Sequence, residues 1–466
     1  DFGIYGLFEI VFQLLPIVAL GIPSALQRWV GLKKYFNIRK SLFFTSFVFL
    51  ATYTFFLFLI LIPLLQNVAS LYFENNFINV IYIILVIVYF QNLTRISLVL
   101  LRMDERSVFY ALSNSLKIAL QLVTIIYLIT IEKLGFVSIF WGELVGTLFL
   151  FLITFPYLFK NFDFKFDFSE LKSMIKFGVP TIFSNFSRQI YSFVDRYLLS
   201  LFVSKAALGT YVLGFKISSI LGTFLVTSFN IALPAIAWPQ VGTENQNRFF
   251  TKMLTYFSFV LIWASLFLAV FSKGIIHQFA QDKSYWDAYL VVPILVVGFI
   301  FSGMFTVLNY GILITKNTNK IPIIVLISLG MNISLNLLLV PRLSFMGTAI
   351  AMMTTSISQT VLTYFFSRKE FPVKWEFKKI ALMLAVAVVL CVITTFFDSY
   401  DLVYRILIKG GILLTFPFLL YLFNFYEEIE LETINIYQIL NSKHKWQNLF
   451  INAREILKDF YLYWGF

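Results

Sequence analysis

Thirteen apolar stretches, each long enough to cross a bilayer as a helix, run along nearly the whole of this 466-residue chain. A hydrocarbon core about 30 Å thick takes about 20 apolar residues per helical crossing. The stretches fall near residues 3–27, 41–65, 78–101, 108–131, 135–158, 174–203, 210–236, 252–271, 285–315, 321–340, 346–366, 380–397 and 402–425. They are too long for barrel strands and lack a period of two. Helices are then the only way left to satisfy the backbone in lipid. The expected fold class is an all-α polytopic membrane protein. The residues are 59% hydrophobic and 13% charged, against about a quarter charged in soluble domains. A soluble enzyme is excluded.

Charge placement predicts topology. The connections 31–40, 102–107, 159–176, 239–252, 316–320 and 367–379, with the tail 426–466, hold 23 Lys and Arg, while the alternate connections hold 5. The positive-inside bias puts the first set in the cytoplasm, Asp1 outside and the C-terminus inside. Net charge of +12 is accounted for by these membrane-flanking cations, so no nucleic-acid partner is expected. Trp29, Trp238, Trp286 and Trp375 fall near span ends, as an aromatic belt would. The single Cys391 allows no disulfide within the chain, and the two histidines read as interfacial residues. The chain carries no P-loop, Ser-His-Asp set or metal-ligand cluster, so it reads as a transporter rather than an enzyme, without a cofactor.

A weak repeat divides the chain. Gly3-x-Tyr5 is echoed by Gly209-x-Tyr211, and Gly135 by Gly347. Two pseudo-symmetric six-helix lobes follow, residues 1–158 and 159–366, then two extra helices within 367–425 and an amphipathic cytoplasmic tail, 426–466. The second lobe opens with a helix that the first lacks. The repeat predicts a leading helix of lobe one, missing from this chain, which would make fourteen spans.

Eight basic residues remain inside the spans: Arg28, Arg95, Lys117, Arg188, Arg196, Lys216, Arg405 and Lys409. A charge at mid-helix costs about 2.5–3.5 kcal/mol on insertion scales and needs water or a partner. Arg28, at a span end, is expected to snorkel. Lys117 and Arg188 lie roughly 14–20 Å deep at 1.5 Å per residue. Asn114, Lys117, Gln121 and Thr124 recur at helical spacing, as do Asn185, Arg188, Ser192 and Asp195. Each set is one helix face. The expectation is two polar stripes, one per lobe, facing a hydrated cationic cavity that binds an anion, with phosphate the usual choice for Arg and Lys. The alternative is internal pairing, of Arg188 with Asp195 or of Lys117 with Glu9 or Glu143. Glu9, Glu143 and Asp195 are also candidates for a coupling H⁺ or Na⁺.

Leu20-Gly21-Ile22-Pro23-Ser24-Ala25-Leu26-Gln27-Arg28-Trp29, Phe177-Gly178-Val179-Pro180 and Ser192-Phe193-Val194-Asp195-Arg196-Tyr197, with Gly209-Thr210-Tyr211, resemble the Wzx-type polysaccharide flippases. These belong to the multidrug/oligosaccharidyl-lipid/polysaccharide exporter superfamily. The resemblance implies two lobes around a central cavity and two added C-terminal helices. It implies alternating-access flipping of undecaprenyl-pyrophosphate-linked oligosaccharide across the bacterial inner membrane, for surface polysaccharides such as O-antigen or capsule, with polymerase machinery downstream. On this reading Lys117, Arg188, Arg196 and Arg95 hold the pyrophosphate, and Asn114, Gln121, Asn185 and Ser192 bind sugar hydroxyls. The rival readings are a cation-coupled multidrug antiporter and a lipid II-type flippase of the same superfamily.

Overall fold

The computed structural model describes residues 15–72, 78–280, 283–369 and 371–427, and its described secondary structure is entirely helical. In chain order the α-helices are α1 (Ile22–Gly31), α2 (Arg39–Tyr72), α3 (Ile78–Met103), α4 (Ser107–Thr130), α5 (Val137–Lys160), α6 (Phe168–Phe202) and α7 (Lys205–Ile220). They continue with α8 (Thr227–Ala237), α9 (Gln246–Phe279), α10 (Val292–Ile314), α11 (Lys320–Leu343), α12 (Phe345–Ser367), α13 (Phe377–Thr395) and α14 (Leu402–Leu422). A π-helical turn, Leu221–Val226, joins α7 to α8 as one crossing. The Thr227 hydroxyl donates to the Gly222 carbonyl at 2.9 Å inside that widened turn.

Among the described residues, ten helical segments are long and apolar enough to cross a membrane, and the protein is a multi-pass membrane protein. Helix α12 is not one of the ten, because it carries Thr348, Thr355, Gln359, Thr360 and Thr363. All five are buried within the protein, so their hydroxyl and amide groups never meet acyl chains. Mean hydropathy underrates a helix of this kind.

The first expected crossing is not one helix in its described part. A 3₁₀ turn, Leu15–Ala19, stops at Leu20 and Gly21, which have φ of 50° and 68°, and α1 then starts afresh with Pro23 in its first turn. Proline suits that position because its missing N–H would be unbonded there anyway. Gly21 is required twice over. It holds a left-handed φ, and a Cβ on it would lie 2.0 Å from the carbonyl oxygen of Gly178 on α6. Two of the sequence motifs, around Gly21 and Gly178, therefore meet backbone to backbone.

Helices α2 and α5 pack on α3, and α4 lies on α5. In the second half α10 and α11 pack on α12, α6 on α11 and α9 on α10. Contacts of α1 with α6 and α8, of α2 with α6 and of α3 with α8 join the two groups. Helices α13 and α14 lean on α9, through a buried cluster that includes Phe250, Leu254, Met383, Phe416 and Leu420. At the lysine- and arginine-rich end, Lys252 of α9 binds Glu376 at 3.0 Å and also Glu427, fastening both added helices to α9. Burial works against ionisation of Glu376. The hydrogen bonds from Thr255 and Lys252, with the charge of Lys252, outweigh it and hold the carboxyl below its ordinary range.

Candidate functional site

Helices α1, α6, α8, α10 and α12 surround a cavity of about 240 Å³. Its described lining is polar and aromatic and holds no charged side chain. Helix α6 presents Thr181, Ser184, Ser187 and Tyr191; α10 presents Ser302, Thr306, Asn309 and Tyr310; α12 presents Thr355, Ser356 and Gln359. Ser24 and Gln27 of α1 and Asn230 of α8 add to these, with Phe177, Trp238, Phe299 and Phe305 as aromatic faces. Gln359 Nε2 donates to Ser187 Oγ at 3.3 Å, and the Tyr191 hydroxyl to the Val325 carbonyl at 3.3 Å. Asn309 is buried with its Oδ1 unpartnered, which leaves an acceptor in the wall for a hydroxyl donor.

At the basic end one lining residue, Gln27, meets the guanidinium of Arg102. With its amide oxygen turned toward Arg102, Gln27 accepts from Arg102 Nη1 at 3.1 Å and Nη2 at 3.0 Å. Arg102 Nε donates to the Leu98 carbonyl at 3.1 Å. Arg95 is two turns away on the same helix, close enough for its charge to act on that of Arg102. Among the described residues, neither guanidinium has a carboxylate partner.

Arg28 does not snorkel. It is 5% exposed, donates from Nε to the Leu313 carbonyl and from Nη2 to the Ile314 carbonyl, both at 2.9 Å, and lies against the rings of Trp29, Phe177 and Trp238. The last carbonyls of α10 lack partners within their own helix, so this cation caps them from across the molecule. Trp29 Nε1 donates to Glu170 Oε2 at 2.6 Å. Trp29 and Trp238, expected in an aromatic belt, are instead buried parts of this junction.

The expected stripe on α4 does not face the cavity. Lys117 Nζ binds Glu143 Oε1 of α5 at 2.7 Å, and Gln91 and Thr147 donate to the same oxygen at 3.0 and 3.3 Å. Asn114 and Thr124 bond carbonyls one turn back on their own helix. Gln121 lies against Gly142 and Gly146. The picture of unpaired cations is corrected for Lys117: its charge is neutralised, and Glu143 is its counter-ion. The legible signal was Gly142-Glu143-Leu144-Val145-Gly146, a small-xxx-small spacing that lets membrane helices approach closely. Breaking a buried pair leaves a naked charge that costs about 3–5 kcal/mol. Lys117→Met alone should therefore destabilise the protein strongly, and adding Glu143→Gln should recover most of the loss, as thermal unfolding of the purified variants will read.

On α6 the expected stripe was Asn185, Arg188, Ser192 and Asp195. The side chains of Asn185, Arg188 and Ser192 lie outside the described residues. The cavity-facing set, Thr181, Ser184, Ser187 and Tyr191, precedes most of that stripe by one residue, or about 100° of helix rotation. Arg196 is exposed, with its guanidinium 5.2 Å from the Phe215 ring centre. Neither Arg95, Arg196, Asn114, Gln121 nor Lys117 lines the cavity. Glu9 lies outside the described residues.

Asp195 occupies a different place. It is fully buried between α6 and α11, and its carboxylate accepts from Asn332 Nδ2 at 2.9 Å, Asn336 Nδ2 at 2.8 Å and the Tyr211 hydroxyl at 3.4 Å. No described cation forms an ion pair with it. Asn336 Oδ1, beside it, is buried without a partner. Its described partners are all neutral donors, while Arg188, the partner expected from the sequence, has its side chain outside the described residues.

A family profile described as polysaccharide biosynthesis protein matches residues 1–287. The chain belongs to that family. For this polysaccharide biosynthesis protein, comparison with curated proteins gives no match. Among solved structures it is similar to an outward-facing multidrug resistance MATE family transporter of the MOP superfamily, at 13% identity and TM-score 0.65, over 79% of this chain and 86% of that one. The Vibrio cholerae MATE transporter VcmN aligns at 14% identity and TM-score 0.67, over 79% and 88%. The lipid II flippase MurJ in an inward closed conformation aligns at 16% and 0.56, over 90% and 98%. The fold is that of these transporters.

Proposed function

We propose that this chain flips a lipid-linked oligosaccharide, carried on undecaprenyl pyrophosphate, across the bacterial inner membrane to supply a surface polysaccharide such as O-antigen or capsule. The neutral hydrogen-bonding cavity carries the reading. Hydroxyl, amide and aromatic groups suit a sugar, whose every face offers hydroxyls and C–H edges. An exporter of organic cations needs a carboxylate at its cavity, and the described lining holds none. Family membership supports the polysaccharide context.

The sugar occupies the cavity, Arg102 and Arg95 hold the diphosphate at the basic end, and the prenyl chain stays in lipid. About 240 Å³ falls below the ~300–1,000 Å³ of a pocket that seats a drug-sized ligand. This conformation takes only part of an oligosaccharide, so the helix groups must part during loading. By the positive-inside bias the end latched by Arg28, Trp29 and Glu170 is cytoplasmic, as is the C-terminus. Opening it means breaking those bonds, and the cycle alternates this closed end with an open one. Asp195 takes the coupling H⁺ or Na⁺, with the Asn336 carbonyl available to a metal cation. Polymerase machinery then consumes the flipped unit.

The test is reconstitution in liposomes with fluorescent lipid-linked oligosaccharide and a membrane-impermeant quencher. Protein-dependent movement between leaflets is expected for prenyl-diphosphate-linked sugars. Movement of organic cations with none of the sugar lipid would overturn the reading. Including lipid II as a second substrate separates the related flippase activity, for which the likeness to MurJ over 90% of this chain speaks.

A further inference from the structure

The end of the molecule with few basic connections carries a cationic slot that the transport cycle does not use. It lies between α9 and α14, has a volume of about 310 Å³, and is walled by Val270, Phe271, Ile275 and Ile406, with Arg405 and Lys409 at its polar side. Glycine keeps it open: a Cβ on Gly274, which lines the slot, would meet nothing within 4 Å. Lys409 is 6% exposed and binds Asp398 Oδ1 at 2.5 Å, while Lys273 reaches the other oxygen of Asp398 at 3.4 Å. Arg405 touches Asp398 only through its carbonyl, at 3.4 Å, and forms no ion pair among the described residues. Two lysines thus share the Asp398 carboxylate, and Arg405 beside them keeps most of its five N–H donors unspent.

We propose that this slot seats an acidic phospholipid, one acyl chain between α9 and α14 and its phosphate on Arg405. Apolar walls alone would accept any lipid. Charge selects the occupant, since the surplus of cations in a low-dielectric wall favours a phosphate without a neutralising choline or ethanolamine. The bound lipid would tie α14 to α9 at this end, as Lys252, Glu376 and Glu427 do at the other. The inference does not rest on the flippase reading.

Native mass spectrometry of the delipidated whole protein, after adding phosphatidylglycerol or phosphatidylcholine, tests it. One retained phosphatidylglycerol is expected, lost about fivefold more readily from Arg405→Ala, since a basic group near the membrane surface contributes about that factor. Arg405→Lys should keep it, and Arg342→Ala, exposed on α11 outside the slot, should not change it. Gly274→Leu should exclude the chain. Phosphatidylglycerol should raise the wild-type unfolding temperature and leave that of Arg405→Ala unmoved, a readout on folded protein only. Equal retention of both lipids, wild-type retention by Arg405→Ala, or the same thermal shift from inorganic phosphate alone would overturn the proposal.

Discussion

Asp195→Asn should leave a folded protein whose sugar-lipid translocation no longer responds to a cation gradient. The substitution is isosteric and removes a charge that lies fully buried among neutral donors. Desolvating a carboxylate costs several kcal/mol even after relaxation, so its loss should leave stability unchanged or slightly higher. What disappears is the preference for a cation. In proteoliposomes, wild-type flipping should accelerate under an inward H⁺ or Na⁺ gradient, and the variant should run at one gradient-independent rate. A variant that keeps full gradient dependence would remove Asp195 from coupling. Asn336→Ala deletes the unpartnered carbonyl together with the 2.8 Å hydrogen bond to Asp195: it should weaken Na⁺ dependence more than H⁺ dependence.

The second large effect concerns the diphosphate. Arg95 and Arg102 are like charges on one helix without a carboxylate between them, an arrangement that an arriving anion relieves. A hydrogen bond to a charged group contributes about 1.5–3 kcal/mol. Replacing both arginines by Ala should therefore weaken apparent affinity for the sugar lipid by roughly a hundredfold. Stability should hold or improve as repulsion goes, which separates this outcome from misfolding. Arg102→Lys should recover charge without the fork that engages Gln27. Wild-type apparent affinity in the double variant would place the diphosphate elsewhere.

The helices were legible because hydrocarbon thickness dictates their length, and the described parts of the thirteen expected stretches have helical counterparts. Direction around each helix was not legible. A polar stripe identifies a face, yet α4 spends its stripe on α5. Sequence supplies each stripe without its partner. Arg102 was counted with a cytoplasmic connection because it sits at a span end, although its helix reaches Met103 and its guanidinium turns inward to Gln27. Arg28 misled in the same way. The depth of Asp195 marks it in the sequence as one of three intramembrane carboxylates, with Glu9 and Glu143, but its partners Asn332 and Asn336 lie on a helix distant in sequence.

Helix α4 rests on its neighbour by unusual means. Its outward face is apolar and exposed, with Leu122, Val123 and Ile126 all more than half accessible, and it lies along the Gly142–Gly146 surface of α5. The face it turns to those glycines carries Lys117, Gln121 and Ile125, and Ile125 fills the space that a Cβ on Gly142 would need. The ammonium of Lys117 and the carboxylate of Glu143 then act as a key in a keyway, so one point of charge joins the fit at Gly142 in setting the axial position of α4.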